Sequence, residues 1–224
     1  VLAASHERLL AQLSDDQLVL DVGGGFCPFA RADWVLDLLP YDARKAVPGE
    51  RFGRDTWVER DACDREPWPF PDGRFDFAVC SHTLEDVRDP VFVCSELQRV
   101  ARAGYIEVPS RLEEQSWGVV GPWVGWSHHR WLVDVGPDAI RFVAKPHAIH
   151  GQEEAHFPPG FHDSLTPEER VEQLWWEGAF DHSERVFTGP AELDAYLREP
   201  VRSRGGPARG WQARRRLARR VSGG

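Results

Sequence analysis

Residues 19–25 read Val-Leu-Asp-Val-Gly-Gly-Gly. A β-prone apolar run that ends in glycines must leave its strand through a turn that no Cβ crowds, and twelve residues after Gly25 a second apolar run ends in Asp37. Two adjacent strand ends, one with a glycine turn and one with a carboxylate, can receive a nucleoside. Glycine lets backbone approach the ligand, and the carboxylate accepts from the ribose hydroxyls. The same residues also suit a plain glycine turn between buried strands, so the rest of the chain has to decide.

The pattern downstream alternates strand and helix. Apolar runs predict strands over 18–22, 34–38, 56–60, 75–81 and 105–108, and Leu9, Leu10 and Leu13 share one face of a short helix over 5–13 with Ser5 as its cap. Asp89-Pro90 opens a second helix over 91–101 with Val93, Leu97 and Val100 as its core stripe, and Gly104 is read as its end. This is the order of a doubly wound, mostly parallel α/β sheet. Between the first two strands there is no room for the usual crossover helix. Either that connection is a compact loop or the two strands are not neighbours.

After Pro109 the rhythm breaks into a Trp-, Gly-, Pro- and His-rich stretch. Antiparallel strands are predicted at 131–135 and 139–144, joined by Gly136-Pro137-Asp138. Thr166-Pro167-Glu168-Glu169 reads as the capped start of a helix through Trp176, and Gly189-Pro190 as the start of another to Arg198. The expected organisation is therefore a core over 1–109, an insert and the rest of the same domain over 110–199, and an Arg-rich, partly disordered tail over 200–224.

Charge separates that tail from the body. Of the net −9, eight arginines with no acid or lysine follow Glu199, which leaves −17 on residues 1–199. An acidic body disfavours nucleic acid as a partner. No run approaches the roughly 18 apolar residues of a membrane span, and no signal-peptide layout opens the chain, so a cytoplasmic protein is expected. Cys27, Cys63, Cys80 and Cys94 form no Cys-x-x-Cys pair and read as reduced thiols.

With five strand ends in order, residues 15–110 resemble a class I S-adenosylmethionine-dependent methyltransferase of the small-molecule and glycan type. The resemblance rests on the glycine segment, on Asp37, on Asp61-Ala62, on Phe-Asp-Phe-Ala-Val at 75–79 leading into Ser81-His82-Thr83-Leu84-Glu85-Asp86-Val87, and on the helix segment Glu96-Leu97-Gln98-Arg99-Val100. It implies a Rossmann-like fold with S-adenosylmethionine as cofactor. Gly23 and Gly25 would pass beside its methionine part and Asp37 would hold the ribose. Asp61 and Ala62 would meet the adenine, Ser81 and His82 would border the sulfonium, and Asp21 would order the loop or reach the amino group. Cys27 and Pro28 stand where a dinucleotide fingerprint needs its third glycine and its helix, which excludes a nicotinamide enzyme.

Methyl transfer to a hydroxyl needs an aligned acceptor and a base. Six of the nine histidines fall between 128 and 162, next to Trp117, Trp123 and Trp126, where a lid over the acceptor is expected. His128 or His129 is the expected base, with His82 third. The acceptor would be a hydroxyl of a sugar, glycan or secondary metabolite. N-methylation and a non-catalytic cofactor-binding scaffold are the alternatives, and a dimer is compatible with either. His147-x-x-His150 with Glu153, Glu154 and His156 has metal-ligand chemistry but no identifying spacing, so no metal is expected in the site.

Overall fold

The computed structural model describes residues 1–205. In chain order it holds α1 (Ala3–Gln12), β1 (Val19–Val22), β2 (Trp34–Asp37), β3 (Trp57–Glu59), β4 (Phe77–Ser81), α2 (Pro90–Val100), β5 (Ala103–Pro109) and the single-turn α3 (Arg111–Glu114). Then follow β6 (Trp131–Gly136), β7 (Ala139–Ala144), β8 (Val171–Glu177), β9 (Asp181–Glu184) and α4 (Pro190–Ser203). The stretch from residue 206, including most of the arginines of the expected tail, lies outside the described residues.

Six strands form one sheet in the order β3-β2-β1-β4-β5-β8, parallel except for β8, which runs antiparallel to β5. This is the mixed α/β, Rossmann-like architecture. The strand order reverses between β1 and β4, and a crevice opens at the carboxyl ends of the strands at such a point. β1 and β2 are direct neighbours, with Leu20 opposite Trp34 and Val22 opposite Leu36. Their connection is a loop without a helix, held by Asp33 N–H on Val19 O at 2.8 Å and by the Val19 N–H on Asp33 Oδ2 at 2.9 Å.

Hydrophobic burial fixes both faces. Val93, Leu97 and Val100 of α2 are buried against Leu20, Val22 and Ile106, while Leu9 of α1 packs with Val19, Val35 and Tyr105 on the other side. Asp89 caps α2 by accepting from the Phe92 N–H at 3.0 Å, with Pro90 in the first turn, where its missing N–H costs nothing. β6 and β7 form the expected antiparallel hairpin, and β9 adds to β7 in parallel to complete a second, three-stranded sheet.

Four local expectations are corrected. The segment after Thr166 is not a helix through Trp176. Thr166 and Glu169 do exchange reciprocal hydrogen bonds at 3.0 and 3.2 Å, but the 3-10 turn they start ends at Arg170 and the chain becomes β8. Seven register pairs with β5 outweigh local helix propensity there, and Leu174 and Trp176 are buried at the two-residue period of a strand. Ser5 is not the cap of α1: the helix begins earlier, at Ala3 after Leu2, and Ser5 is buried inside it. Gly104 does not end α2, which stops at Val100. It lies in β5, where an added Cβ would stand 2.6 Å from the Ala78 carbonyl oxygen and 2.6 Å from the Trp176 ring. The last helix also runs past Arg198, to Ser203.

Glycine at 104 is thus a packing requirement. Gly104→Ala is expected to lower unfolding stability by about 1–3 kcal/mol in urea titration, the usual cost of overpacking a filled interior. An unchanged midpoint would show that β5 and Trp176 yield without strain.

Candidate functional site

Two cavities meet at the carboxyl ends of the parallel strands. The first, about 450 Å³, is walled by Gly23 and Gly25 from the glycine loop, Asp37 and Leu38 after β2, Asp61 and Ala62 after β3, and His82, Thr83, Asp86, Val87 and Arg88 after β4. The second, about 500 Å³, is walled by His82, Glu85, Asp86, Glu107, Glu113, Trp126, His128, His129 and Arg170, among others. His82 and Asp86 belong to both walls.

The glycine loop takes its shape from neighbours that leave no room for side chains. Gly23 has φ +72°, and a Cβ on it would lie 2.2 Å from Thr83 Oγ1. The Thr83 hydroxyl is 3.1 Å from the Gly23 carbonyl oxygen, and the Gly23 N–H donates to Leu36 O at 2.9 Å. Beneath the loop, buried Asp21 accepts from the Phe29 N–H at 2.7 Å. Burial pushes its carboxyl up to about 7, against the Phe29 hydrogen bond and with the help of nearby Asp37. Asp21 therefore stands under the loop and outside both cavity walls.

Asp37 is held by backbone: the Gly25 N–H donates to its Oδ2 at 2.7 Å and the Leu39 N–H to its Oδ1 at 2.6 Å. Each oxygen keeps a lone pair for a hydroxyl in the cleft. Asp61 accepts from the Cys63 N–H at 2.8 Å on one oxygen, while Arg88 stands 3.4 Å from the other. Ser81 turns away from the cleft and donates to Glu107 at 3.1 Å. The donors, the loop shape and the cleft fit a nucleoside cofactor with an amino-acid tail.

Where β4 ends, His82 adopts φ +52°, the one positive-φ non-glycine among the described residues. Histidine tolerates this region better than most side chains, and its N–H is secured on Glu107 O at 2.9 Å. The turn throws the imidazole between two acids, with Nε2 3.2 Å from Glu107 and Nδ1 3.5 Å from Glu85. Burial alone would lower its pKa, but the Glu107 and Glu85 contacts prevail and raise it to about 9. Glu107 is fully buried in β5. Burial would raise its pKa, yet hydrogen bonds from His82, from the Tyr105 hydroxyl and from the Leu2 N–H hold it at about 2.

The second cavity is built by the stretch after β5. The Arg130 N–H donates to Glu85 O at 2.7 Å and Trp131 Nε1 to Val87 O at 2.8 Å, which brings His128 and His129 up to Asp86. His129 Nδ1 is 2.6 Å from buried Glu114, which also pairs with Lys145, and Trp126 stacks on the His129 ring. His128 is exposed, its Nε2 3.9 Å from Asp86 Oδ2. Next to them Arg170, a donor only, bonds His162 Nε2 at 3.0 Å, so the proton of His162 lies on Nδ1 and is given to Glu113 at 2.8 Å.

Of the residues singled out from sequence, Gly23, Gly25, Asp37, Asp61, Ala62 and His82 line the first cavity and His82, His128 and His129 the second. Thr83, Glu107 and Glu114 were missed. A lone acid within the apolar run Tyr-Ile-Glu-Val at 105–108 was a signal for Glu107, since an isolated carboxylate is rarely buried without a task.

A family model described as "Methyltransferase domain" matches residues 1–150. No curated protein matches. Solved structures similar to the chain include an S-adenosylmethionine-dependent methyltransferase of Mesorhizobium loti (21% identity, 64% of each chain covered, TM-score 0.39). Others are a methyltransferase of Bacillus halodurans (24%, 48% of this chain and 50% of that one, 0.36) and a methyltransferase from an antibiotic biosynthesis pathway of Anabaena variabilis (15%, 51% and 49%, 0.41). The chain spans about half the length of the last two.

The His82 clamp has a pH signature. Its folded pKa is raised from 6.5 to about 9, so the stability it contributes is whole below pH 6.5 and is lost as pH rises through 9. Glu107, already ionised throughout this range, adds no slope of its own there. Urea-unfolding stability should therefore fall from pH 6.5 to 9, and His82→Ala should flatten that fall. An identical slope in the variant would contradict the clamp.

Proposed function

The chain belongs to the methyltransferase domain family, and from that premise we propose that it transfers a methyl group from S-adenosylmethionine to a hydroxyl of a small molecule such as a sugar, glycan or secondary metabolite. The cofactor is S-adenosylmethionine. The observation that carries the proposal is the shared wall: His82 and Asp86 border both cavities, so a methyl group presented from the first can face an acceptor held in the second.

Asp37 receives the ribose hydroxyls, Asp61 and Ala62 the adenine, and the Gly23–Gly25 backbone the amino-acid portion. When bound, the cofactor would supply a methyl carbon made electrophilic by positive sulfur to an acceptor oxygen in the second cavity. The protein aligns that oxygen and takes its proton. His82 is poorly suited to be the base, because at neutral pH a histidine held near 9 already carries its proton. His129 is suited: Glu114 holds Nδ1–H and steadies the imidazolium that forms, which leaves Nε2 as the accepting atom. His128, at the exposed rim, positions the acceptor beside Asp86. Trp126 offers an indole face to a sugar ring or another flat acceptor.

The test is methyl release against a panel of hydroxylated acceptors, with wild type and variants. His129→Ala should lower turnover by roughly 10²-fold or more, the usual worth of a positioned base. Binding of S-adenosylhomocysteine should stay within about twofold, because His129 does not line the cofactor cleft. Turnover unchanged in His129→Ala would remove it as the base.

A further inference from the structure

Asp86, His128 and His129 each place one ligand atom within 4.8 Å of the other two, the one such three-residue group among the described residues. We infer that this group is a divalent-cation site at the junction of the two cavities, with a preference for a first-row transition metal such as zinc or cobalt. The inference rests on the methyltransferase reading and deepens it by naming what holds the acceptor oxygen.

Three features separate the group from a chance cluster. First, His129 carries the outer contact that metal-binding histidines characteristically make: Nδ1 lies 2.6 Å from Glu114, which fixes the ring and leaves Nε2 for a ligand. Glu114 is in turn buried and paired with Lys145, so the support is rigid. Secondly, the spacing is close to that of a bound set. Donors about 2.1 Å from one tetrahedral ion stand about 3.4 Å apart. Asp86 and His128 are already 3.9 Å apart, and the exposed His128 ring can close the remaining distance by a small rotation. Thirdly, all three residues line the second cavity. Two imidazoles and one carboxylate leave coordination positions for other ligands, and imidazole donors favour transition metals over magnesium or calcium.

The chemistry changes accordingly. With a cation bound, His129 would serve as a ligand through Nε2 and the cation would hold the acceptor oxygen at the junction of the two cavities; without one, Nε2 stays free to take the acceptor proton. The group with suggestive ligand chemistry in the sequence, His147, His150, Glu153, Glu154 and His156, does not converge in this way. His150 Nδ1 accepts from the Val124 N–H at 3.1 Å, and His147 is exposed at the surface.

The experiment uses the full chain stripped with chelator, titrated with Co²⁺ by absorption spectroscopy and with Zn²⁺ by calorimetry. One equivalent should bind, with a Co²⁺ spectrum of mixed nitrogen and oxygen ligation. Asp86→Asn, His128→Ala and His129→Ala should each weaken binding at least tenfold, and Glu114→Gln by about 10–100-fold through the outer contact. His147→Ala should leave it unchanged. His128 is exposed, so its variant tests the site without threatening the fold. Absence of stoichiometric binding, or binding lost in His147→Ala but kept in His128→Ala, overturns the site. S-adenosylhomocysteine binding on the same samples separates the two levels. Product binding without cation binding defeats the site alone, and absent product binding defeats the methyltransferase reading.

Discussion

The buried carboxylate of Glu107 is the contact on which the arrangement turns. It sits in β5 with no exposure, and no such charge is tolerable in an apolar sheet unless its oxygens are filled. They are filled by Ser81 at the end of β4, by Tyr105, by the Leu2 N–H at the start of α1, and by His82. One side chain thus joins the N-terminal helix, two central strands and the turn that faces both cavities. Removing it would leave His82 short of a partner as well as undoing the seam.

Around that clamp the site divides its electrostatics. In the first cavity, acids are held by backbone N–H groups and keep lone pairs free, as Asp37 does. Around the second, imidazoles are held by acids, so that Glu107 and Glu85 grip His82 while Glu114 grips His129. The same residue type meets different surroundings. His82, between two carboxylates, is kept charged, whereas His129 meets one carboxylate, through Nδ1. A histidine count does not assign roles; the number of acids on each ring does.

This explains what could be read from the sequence. The glycine turn, Asp37, Asp61 and the β4 end were legible because each depends on a short contiguous pattern at a strand terminus. The helix-free link between β1 and β2 was legible as a choice between two options, and only pairing of Leu20 with Trp34 decided it. β8 was not legible, since its Glu, Gln and Leu suit a helix and its strand state comes from β5, more than sixty residues earlier. Gly104 looked like a helix end because local pattern carries no trace of Trp176 packing on it. His128 and His129 were found by their neighbours in sequence. What sets them in place is the hydrogen bonding of Arg130 and Trp131 to Glu85 and Val87 and the Glu114 contact, none of which has a local pattern.

A nucleoside cofactor seated on the glycine loop and Asp37 has a direct binding signature, read by calorimetric titration of the chain and of Asp37→Asn with S-adenosylhomocysteine. One-to-one binding is expected for the wild type and a loss of roughly tenfold or more in the variant, since a hydrogen-bonded carboxylate on ribose is worth about 1.5–3 kcal/mol. No binding by the wild type, or equal affinity in Asp37→Asn, would contradict it.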